Sequence, residues 1–279
     1  MKKVLIISHS MNIGGAEKAL LGLLSSFDYE NYCVDLFLCR HEGEFIQFIP
    51  KNVNLLPANQ SEYLAIPMKA LIKKKKWKIV YGRLKAKILA KIKTKSLNLS
   101  NNNQVELLYS HKYTYKYFDF INPHVEYDLA ISFLTPHYIC ANKCKAKKKI
   151  AWIHTDYATI DLDIDSELEM WNPFDYIISI SDQCTQSFLL KMPTLEKKIV
   201  RIDNIITNEM IIEQSELFQP TEMKANNNEL IFCSIGRFCN AKNFDNIPNI
   251  CKRLLQLGIK IKWYIIGYGG DEKLIISKI

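Results

Sequence analysis

Residues 230–237 read Leu-Ile-Phe-Cys-Ser-Ile-Gly-Arg, and Lys242-Asn243 follows a few positions later. The apolar residues predict a strand, which brings Arg237 and Lys242 into one loop behind it. Arginine presents a planar fork of donors and lysine a point charge, so together they can hold a diphosphate and stabilise the charge that develops as it leaves. The stretch therefore predicts a phosphate-binding loop.

The rest of the chain alternates short apolar runs with helical patterns, which predicts an α/β fold with parallel sheets. Runs that are apolar throughout, such as Leu5-Ile6-Ile7, favour strands covered by helices on both faces. One helix should follow Gly14-Gly15, and another should begin near Asn246 with Pro248 in its first turn. The predicted strands are Val4–Ser8, Val34–Leu38, Leu129–Phe133, Ile150–His154, Tyr176–Ile180, Ile199–Ile202, Leu230–Ile235 and Trp263–Ile266.

Two further segments carry chemistry at the ends of predicted strands. Adjacent glycines at Gly14 and Gly15 let a ligand approach bare backbone donors at a helix N-terminus, although a tight turn alone also explains them. His154 ends an apolar strand, and the carboxyl ends of strands are where open α/β sheets bind ligands. A lone histidine is more often a hydrogen-bonded structural residue, so both readings of His154 stay open on the residues alone.

Taken in order, the segments around Gly14, His154, Arg237 and Gly267 resemble glycosyltransferase family 4. The resemblance implies a GT-B fold with two Rossmann-like domains. Residues 1–205 would form a complete acceptor-side domain, and residues 206–279 part of the nucleotide-sugar donor domain.

The resemblance also implies a role for each matching residue. Arg237 and Lys242 would hold the diphosphate, with Ser234, Gly236 and Asn243 matching the rest of that loop. His154 would be the catalytic residue, beside the donor sugar. The implied donor-binding residues are Gly14, Gly15, Arg237, Lys242, Gly267 and Gly269.

One part of the family pattern has no counterpart. Family members carry two glutamates eight positions apart downstream of the donor loop, and no such pair follows Arg237. Only 37 residues follow Lys242, whereas a second domain of this kind needs roughly 100–150 residues. The chain is therefore expected to stop inside its donor domain, and the 279 residues alone are expected to be weakly active or inactive.

The implied reaction moves a sugar from a nucleotide-diphosphate sugar to an acceptor hydroxyl with retention of configuration. The acceptor would be a glycan or lipid-linked intermediate in bacterial surface polysaccharide or glycolipid assembly. Cations in a closed cleft can replace a metal ion, so neither a metal nor another cofactor is expected. Asp161 and Asp163 have the Asp-x-Asp spacing of metal-dependent transferases, but they follow a predicted loop, which favours a solvated acidic loop.

The net charge of +8 is unevenly distributed. Residues 69–95 hold twelve Lys or Arg and no acid, and Leu84, Ile88, Leu89 and Ile92 recur there at helical spacing. A basic amphipathic helix of this kind can lie on an anionic membrane surface. A helix packed on its own domain with solvated lysines is the open alternative, and sparse aromatic residues argue against a nucleic-acid site.

Composition and termini complete the expectations. The chain is 48% hydrophobic and 24% charged, which is typical of a globular protein. The first apolar run is too short for a signal peptide, so a cytoplasmic protein is expected, peripheral on the inner face of the membrane if residues 69–95 bind there. Eight cysteines without a paired Cys-x-x-Cys spacing are interpreted as reduced thiols. Two alternatives stay open: an inactive remnant or partner-dependent subunit, and, more distantly, a nucleotide-sugar epimerase.

Overall fold

The computed structural model describes residues 1–100, 103–206, 208–224 and 228–279. The chain divides into two units, Met1–Met210 (unit 1) and Ile211–Ile279 (unit 2). Each unit is described by itself.

Unit 1 is built on a seven-stranded sheet in which every neighbouring pair is parallel. The strand order is β3-β2-β1-β4-β5-β6-β7, so the order reverses between β1 and β4. Open α/β sheets bind ligands at such a switch point, outside the carboxyl ends of the strands. The strands are β1 (Lys2–Ser8), β2 (Tyr32–Leu38), β3 (Asn54–Leu55), β4 (Glu126–Ser132), β5 (Lys145–Ile153), β6 (Tyr176–Ser179) and β7 (Ile199–Arg201).

Helices connect the strands, and one helix contains the boundary between the two units. They are α1 (Gly15–Ser25), α2 (Met68–Lys73), α3 (Trp77–Ser96), α4 (Val105–Thr114), α5 (Tyr138–Lys143), α6 (Ile164–Trp171), α7 (Asp182–Lys191) and α8 (Asn208–Glu216). Unit 2 contains two parallel strands, β8 (Leu230–Ile235) and β9 (Ile261–Ile266), with α9 (Ile247–Gln256) and α10 (Glu272–Lys278).

The core of unit 1 lies on both faces of the sheet. Leu5 and Ile7 of β1 belong to a cluster with residues of α3 to α7, whereas Val4 and Ile6 belong to a second cluster with α1. Alternate side chains of one strand point to opposite faces, so a strand covered on both sides must be apolar throughout. This explains the continuous apolar runs and confirms the predicted α/β fold.

Two differences from the predicted elements have simple physical causes. β3 is only two residues long, Asn54–Leu55, and so has no sequence pattern of its own. β5 begins at Lys145, before its apolar run, because its first residues already pair with β4. Lys147 and Lys148 also form exposed ion pairs with Asp128 and Asp175 at 2.6 and 2.7 Å. Backbone pairing therefore extends the strand beyond its hydrophobic run.

The helical segment at residues 69–95 is two helices rather than one. α2 ends at Lys73 and α3 begins at Trp77, and Lys75 between them has a left-handed backbone with φ 55°. Such a residue cannot continue a right-handed helix. The break falls within the run of four lysines that opens the basic block.

Gly22 in the middle of α1 allows a close backbone approach. A Cβ at this position would lie 1.9 Å from the carbonyl oxygen of Ile205, whereas a Cβ at Gly15 would have no atom within 4 Å. We expect Gly22→Ala to lower the free energy of unfolding by about 1–3 kcal/mol, since α1 would have to move away from the chain at Ile205. Gly15→Ala is the matched control and should cause no loss. Urea unfolding of both variants tests this, and equal stabilities would contradict the close packing.

Candidate functional site

The carboxyl ends of the central strands of unit 1 collect titratable side chains. His9 follows β1, His137 follows β4 and His154 follows β5, while His111 approaches from α4. The pKa of His137 is lowered by burial and also by the charges of His9 and His154, which places these three histidines near one another. The predicted residue His154 is thus one member of a four-histidine group at the switch point of the sheet.

His154 lies among aromatic rings. Its ring centroid is 4.5 Å from that of Phe133 and 6.4 Å from that of Trp152, both in the cluster that α1 covers. Burial lowers the pKa of His154 to about 4, so the imidazole is uncharged at neutral pH. Among the described residues, no group hydrogen-bonds its buried Nε2. His154 can therefore offer one neutral ring nitrogen to a ligand.

The rings of His9 and His111 lie close together at the same edge. Their ring centroids are 5.4 Å apart with an angle of 30° between the planes. Burial, with a smaller contribution from Arg40, lowers the pKa of His9 to about 4. Burial also holds the pKa of His111 well below its usual range. Both rings are therefore neutral hydrogen-bonding groups.

His137 is the most enclosed of the four. Its Nδ1 lies 2.8 Å from Ser132 Oγ, and its ring packs edge-on against Trp171 at 4.3 Å. A ring held by a hydrogen bond and by aromatic contacts is well explained as a core residue. Its Nε2, however, has no partner in the described part of the chain.

Buried polar atoms without a partner concentrate at this edge of unit 1. A buried donor or acceptor that makes no hydrogen bond destabilises a fold by about 1–3 kcal/mol. This destabilisation is offset when a water molecule or a ligand group forms a hydrogen bond with the atom, so the edge is suited to polar ligands. Within the described residues these atoms are Ser8 Oγ, His111 Nδ1, His137 Nε2, Trp152 Nε1 and His154 Nε2.

The glycine turn lies before α1. Gly14 is the N-cap with an extended backbone, φ −165°, and no side chain caps the helix. A Cβ on Gly15 would meet nothing within 4 Å, and one on Gly14 would meet only the flexible end of Glu17. Neither glycine is therefore required by backbone strain or by packing. The cap makes no side-chain hydrogen bond to α1, and binding of a ligand to the first N–H groups stays a prediction.

In unit 2, the predicted cations lie in one loop after β8. Arg237 and Lys242 are both exposed, and within the described residues neither side chain makes a hydrogen bond or ion pair. Lys242 ends a short 3₁₀ turn, and Asn243 after it takes the left-handed conformation, φ 54°, that asparagine tolerates. Behind the loop, Trp263 donates to Ser234 Oγ at 3.0 Å, which joins β8 to β9. The loop can therefore present two unpaired cations to an anion.

Gly267 and Gly269 follow β9 and pack against the same loop. A Cβ on Gly267 would lie 1.9 Å from the carbonyl oxygen of Gly236, and one on Gly269 would lie 2.3 Å from that of Phe238. These glycines let the turn after β9 approach the backbone beside Arg237. Their packing role is clear from the structure, and a contact with a donor base stays a prediction.

The solvated acidic loop expected at Asp161–Asp165 is wrong for Asp163. This carboxylate is buried and accepts hydrogen bonds from Tyr109 and Ser166, both at 2.7 Å, while Lys93 lies 3.3 Å away. Burial acts to raise the pKa of Asp163, but these partners outweigh it and hold the pKa below its usual range. Asp163 therefore anchors α3 and α4 to the start of α6. In the described ranges, no group of three His, Cys, Asp or Glu could hold a metal ion.

Three histidines of the group were missed in the sequence. His9 and His137 could have been found by the reasoning used for His154, since each lies just beyond a strand of the sheet. His111 gives no such signal, because it lies on α4 and only the fold brings it to His9. In contrast, the sequence correctly placed Arg237 and Lys242 in one loop after β8, and their role in donor binding stays a prediction.

No protein-family model and no curated protein matches this chain. Among solved structures, a TarM mutant from S. aureus in complex with Fondaparinux, alpha-GlcNAc-glycerol and UDP is similar at 13% identity and a TM-score of 0.57, covering 100% of this chain and 75% of that chain. A second TarM structure has 12% identity and a TM-score of 0.56, covering 99% and 74%. These neighbours are GT-B glycosyltransferases, and the likeness confirms the predicted GT-B fold class.

The buried histidines make stability depend on pH. A histidine in the unfolded chain has a pKa near 6.5. Between pH 6.5 and 4, His9 and His154 therefore bind protons in the unfolded state but stay unprotonated in the folded state. The contribution of these histidines to the free energy of unfolding is complete above pH 6.5 and is lost as the pH falls. For His9 alone the loss at pH 5 is about 2 kcal/mol. Glu167 opposes this, because burial raises its pKa to about 7. Urea unfolding should show a lower free energy at pH 5 than at pH 7.

A matched pair of variants identifies the source of the effect. His9→Gln should reduce the difference between pH 7 and pH 5, whereas His41→Gln, at an exposed position, should leave it unchanged. Equal differences in the two variants would show that the histidine group does not set the pH dependence.

Proposed function

We propose that the protein transfers a sugar from a nucleotide-diphosphate sugar to an acceptor hydroxyl. One observation carries the proposal. In a chain with a GT-B fold, Arg237 and Lys242 lie in one loop behind a parallel strand, and neither has a partner among the described residues. The TarM mutant was solved with UDP, which is the type of leaving group such a loop would hold.

The two cations suit a leaving diphosphate. The arginine fork can bind two phosphate oxygens at once, and the lysine can follow the charge that builds on the oxygen of the breaking bond. Fixed donors of this kind stabilise a transition state without reorganising as the charge develops. We propose that they act without a metal ion or another cofactor.

The finer assignment rests on the family resemblance. We propose a retaining transferase of glycosyltransferase family 4, with unit 1 on the acceptor side and unit 2 on the donor side. Gly14 and Gly15 would offer backbone donors to the phosphates or sugar, and Gly267 and Gly269 would lie near the base. The uncharged ring of His154, with its free Nε2, would hydrogen-bond a sugar hydroxyl or stabilise charge at the reacting carbon.

The first test is binding of a diphosphate to the donor loop. Arg237→Ala should weaken binding of UDP and of inorganic pyrophosphate by about tenfold to a hundredfold, because a hydrogen bond to a charged group contributes roughly 1.5–3 kcal/mol. Lys242→Ala should weaken both, and the double variant should bind less than either. Isothermal titration of the full chain measures this. Hydrolysis of a nucleotide sugar, lost in Arg237→Ala, would tie turnover to the same loop.

Arg253→Ala is the control for the loss of one positive charge. Arg253 is an exposed arginine of α9, in the same unit but away from the loop. The Arg253→Ala variant should bind UDP and inorganic pyrophosphate as the wild type does. If Arg237→Ala bound pyrophosphate as well as Arg253→Ala, the donor-loop assignment would be wrong. We propose that turnover by the chain alone is weak, since the family's glutamate pair has no counterpart here, and so binding is the sharper measurement.

α3 supports a membrane-facing acceptor side. Its inner face buries Ile79, Val80, Gly82, Ala86 and Ala90, whereas five other large apolar residues lie outside. With 3.6 residues per turn, these large residues form one stripe along the helix, flanked by lysines on both sides. The stripe residues are Trp77, Tyr81, Leu84, Ile88 and Ile92, each at least 47% exposed.

We propose that this stripe lies on an anionic membrane surface, where the acceptor is a lipid-linked or membrane glycan. Packed lysines alone would not explain large apolar side chains in solvent, because exposed apolar patches mark interaction sites. An interfacial helix places its apolar residues at the acyl boundary and its lysines at the headgroups. No described helix is long and apolar enough to cross a bilayer. The corresponding proposed location is the cytoplasm, at the inner face of the membrane.

Replacing stripe residues should release the protein from vesicles. The triple variant Tyr81→Ser, Ile88→Ser, Ile92→Ser should reduce partition onto vesicles containing anionic phospholipid by at least about tenfold, since each side chain loses buried apolar area. The double variant Lys87→Glu, Lys91→Glu should also bind more weakly than the wild type, because each lysine near the surface contributes about 1 kcal/mol. This difference from the wild type should grow as the salt concentration is lowered. Co-sedimentation measures both.

The control lies on another helix. Leu190 of α7 is 82% exposed and isolated from the stripe, so Leu190→Ser should bind vesicles as the wild type does. Vesicles of neutral lipid should bind the wild type weakly. Equal partition of the triple variant and Leu190→Ser would exclude α3 as the membrane contact.

A further inference from the structure

A small cavity opens at the carboxyl ends of β1 and β2 in unit 1. Its volume is about 130 Å³. The polar walls come from His9, Arg40, Ser61 and His111, and the apolar walls from Leu64 and Leu107. The predicted site residues do not include any of these. An engineered cavity of about 150 Å³ holds a whole benzene ring, so this smaller, open cavity can hold one edge of a six-membered ring.

The walls of the cavity are fixed by the fold. The backbone N–H of Arg40 donates to the carbonyl of His9 at 2.8 Å, which joins the ends of β1 and β2. Ser61 is fully buried, and its N–H donates to Asn59 Oδ1 at 2.8 Å. The rings of His9 and His111 are tilted against each other at 5.4 Å. A ligand would therefore meet a preformed set of groups rather than a flexible surface.

One polar atom of the wall needs a partner. His111 is 4% exposed, and no described group bonds to its Nδ1. A buried ring nitrogen left without a hydrogen bond is costly, and a ligand in the cavity that His111 lines would satisfy it.

The charges of the site favour a hydroxyl over an anion. Arg40 is already ion-paired with Glu42, and burial keeps both imidazoles uncharged. A neutral imidazole has one donor and one acceptor nitrogen, which matches a hydroxyl group that both donates and accepts. A phosphate offers only acceptors and needs unpaired cations. Leu64 and Leu107 suit the C–H face of a ring.

We propose that this cavity binds one uncharged, hydroxylated ring, such as a pyranose. That the ring belongs to the acceptor rests on the proposed function, whereas the binding itself does not. Hydroxyls of the ring bond to His9 and His111, and its carbon face contacts Leu107. The cavity thus selects which sugar unit of a glycan is held on unit 1.

The test is NMR of the full chain with isotope-labelled histidine. The probes are methyl α-glucoside, methyl β-N-acetylglucosaminide and inorganic phosphate, each titrated to saturating or high millimolar concentration. We expect at least one glycoside to shift the His9 and His111 resonances saturably, while the exposed His41 and His124 stay unchanged. Phosphate should not shift them. Saturable shifts with phosphate alone, or no shift with either glycoside, would overturn the proposal.

A filled cavity separates binding from nonspecific effects. Leu107 lies on α4 at the mouth and is 47% exposed, so Leu107→Trp can block the cavity with little strain on the core. It should weaken glycoside binding at least tenfold. Leu190→Trp, on α7, is the size-matched control and should bind normally. Equal binding by the two variants would contradict the assignment.

The outcome is independent of the donor loop. Glycoside binding that persists without any binding of UDP or pyrophosphate would keep the cavity and refute the proposed transferase. Loop-dependent binding of diphosphate without glycoside shifts would do the reverse.

Discussion

The pairing of β1 with β2 on one side and with β4 on the other determines the rest of unit 1. Because β1 is parallel to both neighbours, all three strands end at one edge, and the connections leave in opposite directions from there. The edge at this reversal cannot be closed by a neighbouring connection. His9, His137 and His154 come to the same edge because each directly follows a strand or its first loop.

Burial holds the histidines at the same edge in uncharged form. Burial lowers the pKa of the histidines and raises that of Glu167, whose Oε2 accepts from Trp171 at 3.0 Å and from Tyr157 at 3.2 Å. A region of this kind presents donors and acceptors without net charge. Such a region would suit neutral, hydroxyl-rich molecules, as proposed for the cavity of unit 1. In unit 2, Arg237 and Lys242 have no partner among the described residues and would instead suit an anion, as proposed for a diphosphate.

The pattern of apolar runs and turn residues was enough to predict every strand except β3, because buried parallel strands need residues that are apolar throughout. The placement of Arg237 and Lys242 in one loop was also predictable, since the two residues are close in sequence. Contacts between distant segments were not. Asp163 looked like a surface acid because its partners, Tyr109 and Lys93, come from α4 and α3. His111 was missed for the same reason.

α3 shows why composition could not decide between a packed helix and a membrane helix. The inner face of α3 buries Ile79 and Val80 together with small residues, and a Cβ at Gly82 would lie 2.6 Å from the carbonyl oxygen of Tyr113. This close backbone approach needs glycine, and other large apolar residues of α3 lie on the outer face. A helix with that division can be fully packed in its own unit and still present an apolar stripe between lysines. The packed inner face is observed, and a membrane contact of the outer face, as proposed, would need no rearrangement of the core.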